Sequence, residues 1–405
     1  MQPNKSTTIN LHICINLLKL LLVLVTVVAC ECDPNGGSVD TINPEIPKVN
    51  DKSEEPITND KHKEPIPKEM IDAAKAAKKN NLVILLRTFQ ELEAEGTNIV
   101  NGLNSDMDIL GLKEAVEFGN LDIVDTILKR GVNVNKKIQE NEQDEFTLLN
   151  YRNDLTPLHI AAESGHTEIL LKLIEKGAEL NAKDKHGDTP LHIAADAGQA
   201  DIVFKLIQKG ANINSVTNDG YTPLHLAITK AHTEIALSLI EQEANLDISS
   251  IEGDTALNLA ARNRYANIVL KLIEKGANIN TKNKIGLHPL YYIIREGYDD
   301  IALTLIEQVK EIEVNTIDSR GDTLLHLAVN RDTRLLSKLV EKGVKIDIAN
   351  NKGNTPLHIA AEYDYKEAVS VLLKLGAKKD IANNEGKTPL DIAKTEEIRR
   401  LLSQP

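Results

Sequence analysis

The chain has 405 residues and no Trp; 3% of it is aromatic, 41% hydrophobic and 26% charged. A core with so few rings must be built from Leu, Ile, Val and Ala, which favours thin, repeated helical layers over one thick globular core. The hydrophobic share excludes a wholly disordered chain. A formal charge of -13 argues against a nucleic-acid partner, because phosphate binding needs a cationic surface. Three Cys are too few to hold a fold of this size by disulfides.

The first 29 residues have the pattern of a secretory leader. Every residue from Leu20 to Ala29 is apolar except Thr26. This run is shorter than the roughly 20 residues that span a bilayer, but it suits the core of a signal peptide. It ends in Val27-Val28-Ala29-Cys30. This ending resembles the lipobox of bacterial lipoproteins, in which an aliphatic residue and a small residue precede an invariant Cys.

The resemblance implies that residues 1–29 are removed and that the Cys30 thiol carries a diacylglycerol thioether, with a further acyl chain on its amine. Several acyl chains anchor a protein durably, because each buried CH2 contributes about 0.8 kcal/mol. An ordinary signal peptide, an uncleaved anchor and a Cys without a role are the alternatives. Cys14 would leave with the leader, and we expect Cys32 to be a solvated thiol near the anchor.

Residues 30–68 are predicted to be a disordered tether. The stretch contains six Pro and almost no aliphatic periodicity, and nine acidic against five basic residues give it a net charge of -4. Such a composition buries too little apolar area to offset the entropy of ordering. With +2 on the leader, residues 69–405 carry -11. The tether is interpreted as a spacer that holds a domain away from a membrane, although a passive linker would have the same sequence.

A short motif recurs along the rest of the chain. Thr156–Ala162 and Thr189–Ala195 both read Thr-Pro-Leu-His-Ile-Ala-Ala, and Thr222 and Thr355 begin copies of its first four residues. Threonine can cap a helix through its hydroxyl, and Pro suits the first helical position. Degenerate copies begin at Thr255, His288, Thr323 and Thr388. The successive intervals are 33, 33, 33, 33, 35, 32 and 33 residues.

This motif and its spacing resemble the ankyrin-repeat family. The resemblance implies an all-α solenoid of helix–turn–helix repeats with β-hairpin-like loops. Residues 152–403 are predicted to hold about seven full copies and a C-terminal half-repeat cap. Residues 69–151 are predicted to be degenerate or capping units with an insertion near 136–151. In the 35-residue interval, Val309-Lys310 replace the usual Gly-Ala, so the preceding helix is predicted to run on.

The 11 His are interpreted as structural. In the ankyrin family the motif His forms local hydrogen bonds and braces neighbouring hairpins. Equivalent His side chains lie one repeat apart, which does not suit a single metal ion, so no metal and no cofactor is predicted. Tyr291 takes this position in its repeat and predicts different packing there. The position is held by His159, His192, His225, His326 and His358.

No catalytic motif is evident in the sequence. A glycine-rich phosphate loop, a His-Glu-x-x-His helix and a nucleophile elbow are all missing from it. The acidic run Glu140–Glu145 lacks the spacing of a calcium loop. We therefore predict that the protein is not an enzyme. An enzyme hidden in the N-terminal units or in the insertion is the alternative, without a chemistry to name.

The ankyrin resemblance also implies where partners bind. Members of the family use a concave surface formed by the hairpin tips and the inner sides of the first helices. Four apolar tip residues are predicted to form a continuous strip, unless some of them pack between adjacent tips. Exposed Tyr and Arg are the residue types that most often dominate binding energy. The predicted binding residues are Tyr221, Ile251, Ile285 and Leu287 on the tips and Lys230, Arg262 and Arg295 on the first helices.

The leader, tether and repeats together predict a bacterial lipoprotein of the cell envelope, periplasmic or surface-exposed. It would display an ankyrin solenoid outside the cytoplasm as a protein-binding scaffold, with an unidentified protein partner, no nucleic acid and no evident small-molecule substrate. The alternative is a secreted, host-directed effector, since ankyrin repeats are common in bacteria that live inside eukaryotic cells. Location in host fractions, free of bacterial envelope, would distinguish it.

Overall fold

The computed structural model of the protein describes residues 105–138 and 154–404. Within those ranges the chain forms helices and no strand, with isolated bridges at Ile138–Leu155 and Ile317–Thr323. The predicted leader, Cys30, the tether, most of the predicted degenerate units and the insertion lie outside the described residues. The all-helical repeat architecture predicted from the sequence is confirmed.

The helices alternate in pairs, a first helix and a second helix in each repeat. The first helices are α1 (Ser105–Glu117), α3 (Pro157–Ser164), α5 (Pro190–Asp196), α7 (Pro223–Thr229), α9 (Ala256–Arg262), α11 (Pro289–Arg295), α13 (Leu324–Ala328), α15 (Pro356–Glu362) and α17 (Pro389–Ile392). The second helices are α2 (Leu121–Lys129), α4 (Thr167–Glu175), α6 (Ala200–Gln208), α8 (Thr233–Glu241), α10 (Ala266–Glu274), α12 (Asp299–Gln308), α14 (Thr333–Glu341), α16 (Lys366–Lys374) and α18 (Glu396–Ser403).

Where the motif is complete, its Thr-Pro start builds the N-terminus of the first helix. In α7, Thr222 has an extended backbone and Pro223 is the first helical residue. The backbone N–H of His225 donates to the Thr222 hydroxyl at 3.3 Å, and the Thr222 N–H donates to Nδ1 of His225 at 3.1 Å. This reciprocal pair satisfies two backbone donors that a helix start otherwise leaves open.

Stacking of the pairs creates the core. Each first helix packs against the first helix of the next repeat, and most successive second helices also pack against each other. Leu158 and Leu191 in the first helices and Leu173 in a second helix are fully buried. No single pair could cover these stripes alone, so stability depends on neighbours. The core is aliphatic, as the composition predicted, with Tyr292 as its largest fully buried side chain.

The irregular intervals change two helices. The helix α12 has ten residues, one more than α10, so it runs on as predicted from Val309-Lys310, but only by one residue. The remaining extra length lies in the loop that leads to α13. That helix is shortened to five residues, Leu324–Ala328. None of the helices in the described ranges combines the length and the apolar character needed to cross a bilayer.

Candidate protein-binding face

The motif His side chains join each repeat to the next, as the family resemblance implied. His192 accepts the Thr189 N–H at Nδ1 (3.1 Å), so its proton lies on Nε2, which donates to the carbonyl of Tyr221 at 3.0 Å. Burial lowers the pKa of His192 and of His225 to about 4, although each hydrogen bond to the next repeat opposes that shift. The same bond to the next repeat is formed by His159, His225, His326 and His358.

Three copies of the motif use another residue in the His position, and these residues are Asn258, Tyr291 and, in the C-terminal half-repeat, Asp391. The carboxamide of Asn258 keeps both contacts, accepting the Thr255 hydroxyl proton at 2.7 Å and donating to the Leu287 carbonyl at 3.5 Å. Tyr291 is longer, and its hydroxyl donates to Asp318 Oδ2 at 2.9 Å. The packing at Tyr291 therefore differs from the other repeats, as the sequence predicted.

From the turn at Gly187 onward, the turns that precede the first helices form a row of tips, each centred on a glycine. Most neighbouring tips are joined by one backbone hydrogen bond. The donor is the N–H of the residue two positions before a tip glycine. The acceptor is the carbonyl of the residue just before the tip glycine of the preceding repeat. Thus Ile251 N–H donates to Asp219 (2.8 Å), and Lys284 N–H donates to Glu252 (2.8 Å). Equivalent bonds join Asn218 to His186, Asn351 to Arg320, and Asn384 to Lys352. These bonds fix the relative positions of the side chains that the tips display.

The predicted apolar strip is only partly accessible. Ile251 is 49% exposed and Ile285 70% exposed, while Tyr221 is half-buried and packs edge-on against His225. Leu287 is 5% exposed, so the prediction that it belongs to an accessible strip is wrong. Its N–H donates to Asn283 Oδ1 at 3.0 Å, and its side chain packs in the core.

The three predicted cations lie at the ends of first helices, and each is ion-paired within the chain. Lys230 Nζ lies 3.5 Å from Asp196, and Arg262 Nη1 lies 2.7 Å from Asp254. Arg295 Nε lies 2.8 Å from Glu296, and its guanidinium covers the Tyr292 ring. All three cations stay substantially exposed, whereas the side chains of Asp254 and Glu296 are each only 6% exposed. These cations were predicted from the sequence, whereas the carboxylates that hold them were not.

Glu296 joins cations from two successive repeats. It accepts from Arg264 at 2.6 Å as well as from Arg295. Burial raises the pKa of Glu296, but the hydrogen bonds from Arg295 and Arg264 outweigh burial and hold this pKa below its usual range. Both guanidinium groups are therefore fixed in place while much of their surface remains open to a ligand.

Some exposed apolar residues were missed by the sequence analysis. Ile317 is 53% exposed on the tip that follows the lengthened loop. Phe204 (50%) and Leu270 (53%) are exposed on second helices, away from the tips. The 35-residue interval pointed to an irregularity near Ile317 without indicating its exposure. Phe204 and Leu270 stand in otherwise regular amphipathic helices, and no pattern marked them.

The described side chains contain no group of three or more His, Cys, Asp and Glu arranged to hold a metal ion. A family model of ankyrin repeats matches the chain in three stretches, residues 112–217, 191–283 and 325–404. The chain matches none of the curated proteins.

Proposed function

This chain belongs to the ankyrin-repeat family, and from that premise we propose that it is a lipid-anchored bacterial scaffold that holds its repeats outside the cytoplasm and captures a partner protein. Ankyrin repeats indicate a protein–protein interaction scaffold, and the family is typically non-enzymatic. The observation that carries the binding face is the pair of exposed isoleucines, Ile251 and Ile285, on neighbouring tips.

Single exposed apolar side chains are common and need no explanation. Here, however, two aliphatic side chains stand on adjacent tips, and Arg262 and Arg295 lie on the first helices that directly follow those tips. A combination of aliphatic anchors and fixed Arg side chains suits a binding centre. Because carboxylates already hold both guanidinium groups, their binding costs less side-chain entropy than that of free arginines.

The anchoring part of the proposal rests on the sequence of the leader. Its support is the apolar run that ends in Val-Val-Ala before Cys30, followed by a polar, proline-containing stretch. An acylated Cys30 would retain the protein at a membrane, and residues 31–68 would give the repeats reach.

The lipidation test compares neighbouring cysteines. In bacteria that express the full chain and are fed a palmitate analogue, we expect strong labelling of the wild type and of Cys32→Ala. Cys30→Ala is expected to lose the label, because it lacks the thiol that receives the lipid. Labelling would be measured on the purified protein. Equal labelling of Cys30→Ala and wild type contradicts the anchor, and unlabelled protein in host fractions would favour the secreted effector.

The binding test compares two sets of exposed apolar residues. Ile251→Asp/Ile285→Asp is expected to reduce proximity labelling of the main partner at least tenfold, since about 1.4 kcal/mol of lost binding energy is already tenfold. Phe204→Asp/Leu270→Asp is the matched control, with similar exposure on second helices. Circular dichroism would verify that both variants fold. If both variants label the main partner equally, the tips are not the surface that binds it.

A further inference from the structure

One junction in the row of tips differs from the others in the described residues. It lies between the tip at 282–288 and the tip at 317–323. At the five junctions described above, a backbone N–H of one tip donates to a carbonyl of the preceding tip. The corresponding groups here are the N–H of Ser319 and the carbonyl of Ile285. Neither forms a hydrogen bond with any described residue.

The space around the tip glycines shows independently that the two tips at this junction stand apart. A Cβ placed on Gly253 would lie 2.9 Å from Cα of Asn283, and one on Gly321 would lie 2.7 Å from the backbone N of Asn351. A Cβ placed on Gly286 would have no neighbouring atom within 4 Å. The tips therefore touch at the regular junctions and stand apart at this one.

The sequence supplies a physical cause. The interval that contains this junction has 35 residues, and its loop is correspondingly longer. Two side chains bind the loop that leads to α13. The Tyr291 hydroxyl donates to Asp318, and Nε2 of His288 forms a hydrogen bond with the Thr316 hydroxyl. These two contacts replace the usual Thr and His arrangement. The junction is thus closed at its base, where Tyr291 and His288 bind that loop. It is open at its edge, where the Ser319 N–H and the Ile285 carbonyl are unpaired among the described residues.

The two repeats at this junction also form a hydrogen bond that recurs between successive repeats. The Glu313 N–H donates to Asn280 Oδ1 at 2.9 Å, like the equivalent pair Asp247 and Asn278 one repeat earlier. The helices of the two repeats remain packed against each other. A hinge would need these contacts to break, so the open edge is better suited to receive a ligand than to bend.

The side chains around the open edge indicate what would bind there. Ile285 and Ile317, one on each tip, are 70% and 53% exposed. Lys284 is exposed and makes no ion pair with any described residue. Arg320 is also exposed and pairs with Asp318 and Asp322. Among the described residues, the edge therefore combines an unpaired backbone donor and acceptor, two aliphatic contacts and one unpaired cation, Lys284, because Asp318 and Asp322 already neutralise Arg320.

We propose that this edge binds an extended segment of the partner protein, one in which aliphatic and acidic side chains alternate. A backbone carbonyl of the segment would accept a hydrogen bond from the Ser319 N–H, and a backbone N–H of the segment would donate to the Ile285 carbonyl. The segment would thus add a short strand between the tips. Side chains alternate along an extended chain. Its aliphatic residues would pack on Ile285 and Ile317, and a carboxylate would face Lys284. This inference rests on the proposed function and specifies the partner chemistry of that face.

The test selects peptides without knowing the partner. A random heptapeptide library displayed on phage is panned on the immobilised full-length protein, and the enriched peptides are synthesised for affinity measurements by fluorescence anisotropy. We expect enriched sequences that alternate aliphatic and acidic residues. Ile285→Asp should weaken their binding about tenfold or more. Phe204→Asp, which changes a similarly exposed side chain on a second helix away from the tips, should change it less than about twofold.

Backbone N-methylation of an enriched peptide tests the strand-like pairing directly. Methylation of the residue that donates to Ile285 should abolish binding, whereas methylation of its neighbours should have little effect, because only one donor faces the tip. Absence of enriched peptides, or binding that survives both Ile285→Asp and every N-methylation, overturns the proposal. If the natural partner depends equally on Ile251 and Ile285 while no peptide depends on Ile285, the binding face stands and the extended-segment proposal fails.

Discussion

Lowering the pH from 7.5 to 5 is expected to destabilise the folded repeats by roughly 6 kcal/mol, or about 2 kcal/mol for each of three buried histidines. Burial lowers the pKa of His192, His225 and His288 from 6.5 to about 4 in the folded protein. The unfolded chain takes up protons below pH 6.5, whereas the folded chain resists them until about pH 4. This stability is therefore fully present above pH 6.5 and is lost as the pH falls toward 4.

Other ionisable groups act in the same direction but in different windows. Burial lowers the pKa of His326 and His358 as well, so both add to the loss. The carboxyl groups of Glu296 and Asp318 also have lowered pKa values in the fold, because hydrogen bonds outweigh burial. Their contribution is lost only below the ordinary carboxyl range, near pH 4. Between pH 6.5 and 5 the histidines dominate.

The matched variant is His225→Asn, because Asn258 already occupies the same position in the next repeat and keeps both contacts. Urea unfolding at pH 7.5 and at pH 5 would measure the loss for each protein. We expect the variant to lose about 2 kcal/mol less than the wild type between the two pH values. An unchanged loss would mean that His225 is not the buried neutral group described here.

Adding a methyl group to one tip glycine is expected to cost far more than adding it to the next. Gly253 and Gly286 occupy equivalent tips, with φ of +77 and +80. Alanine at a positive φ costs about 1 kcal/mol at either site. At Gly253 the new Cβ would also meet the backbone of Asn283 at 2.9 Å, and such overpacking adds about 2 kcal/mol.

We therefore expect Gly286→Ala to lose about 1 kcal/mol of unfolding free energy and Gly253→Ala about 3 kcal/mol. Urea titration with the wild type as reference would measure both. Because the backbone strain is shared, the difference between the variants reports only the distance to the next tip. Equal losses would show that the tips are equally spaced, contrary to the open edge beside Gly286.

The repeat architecture was predictable because its signals are local and recur. Thr-Pro followed by Leu-His specifies a cap, a first helical turn and a bridging imidazole within four residues, and the structure bears out each of these features. The bond that the imidazole makes to the next repeat followed from the family resemblance. At His288 and Tyr291 the motif departs from the pattern, and a change in packing was predicted there from the sequence alone.

The accessibility of the tips was harder to predict, because it depends on how each turn bends in three dimensions. Leu287 and Ile285 flank the same glycine and are similarly apolar, yet one is buried and the other exposed. The hydrogen bond from Leu287 N–H to Asn283 does not decide the difference, because Lys387 makes the equivalent bond to Asn383 and is exposed. The 35-residue interval indicated an irregularity. Its main effect is the separation of two neighbouring tips, whereas α12 is lengthened by only one residue.

The charges beside the open tip edge have a further consequence for self-association. An unpaired backbone edge can act as a template on which identical molecules join strand to strand, and natural sheets discourage this with charged side chains. Two copies meeting through this edge would bring Lys284 of one molecule, a cation without an ion pair among the described residues, toward Lys284 of the other. The repulsion disfavours ordered aggregation of the protein while leaving the edge accessible to an acidic chain.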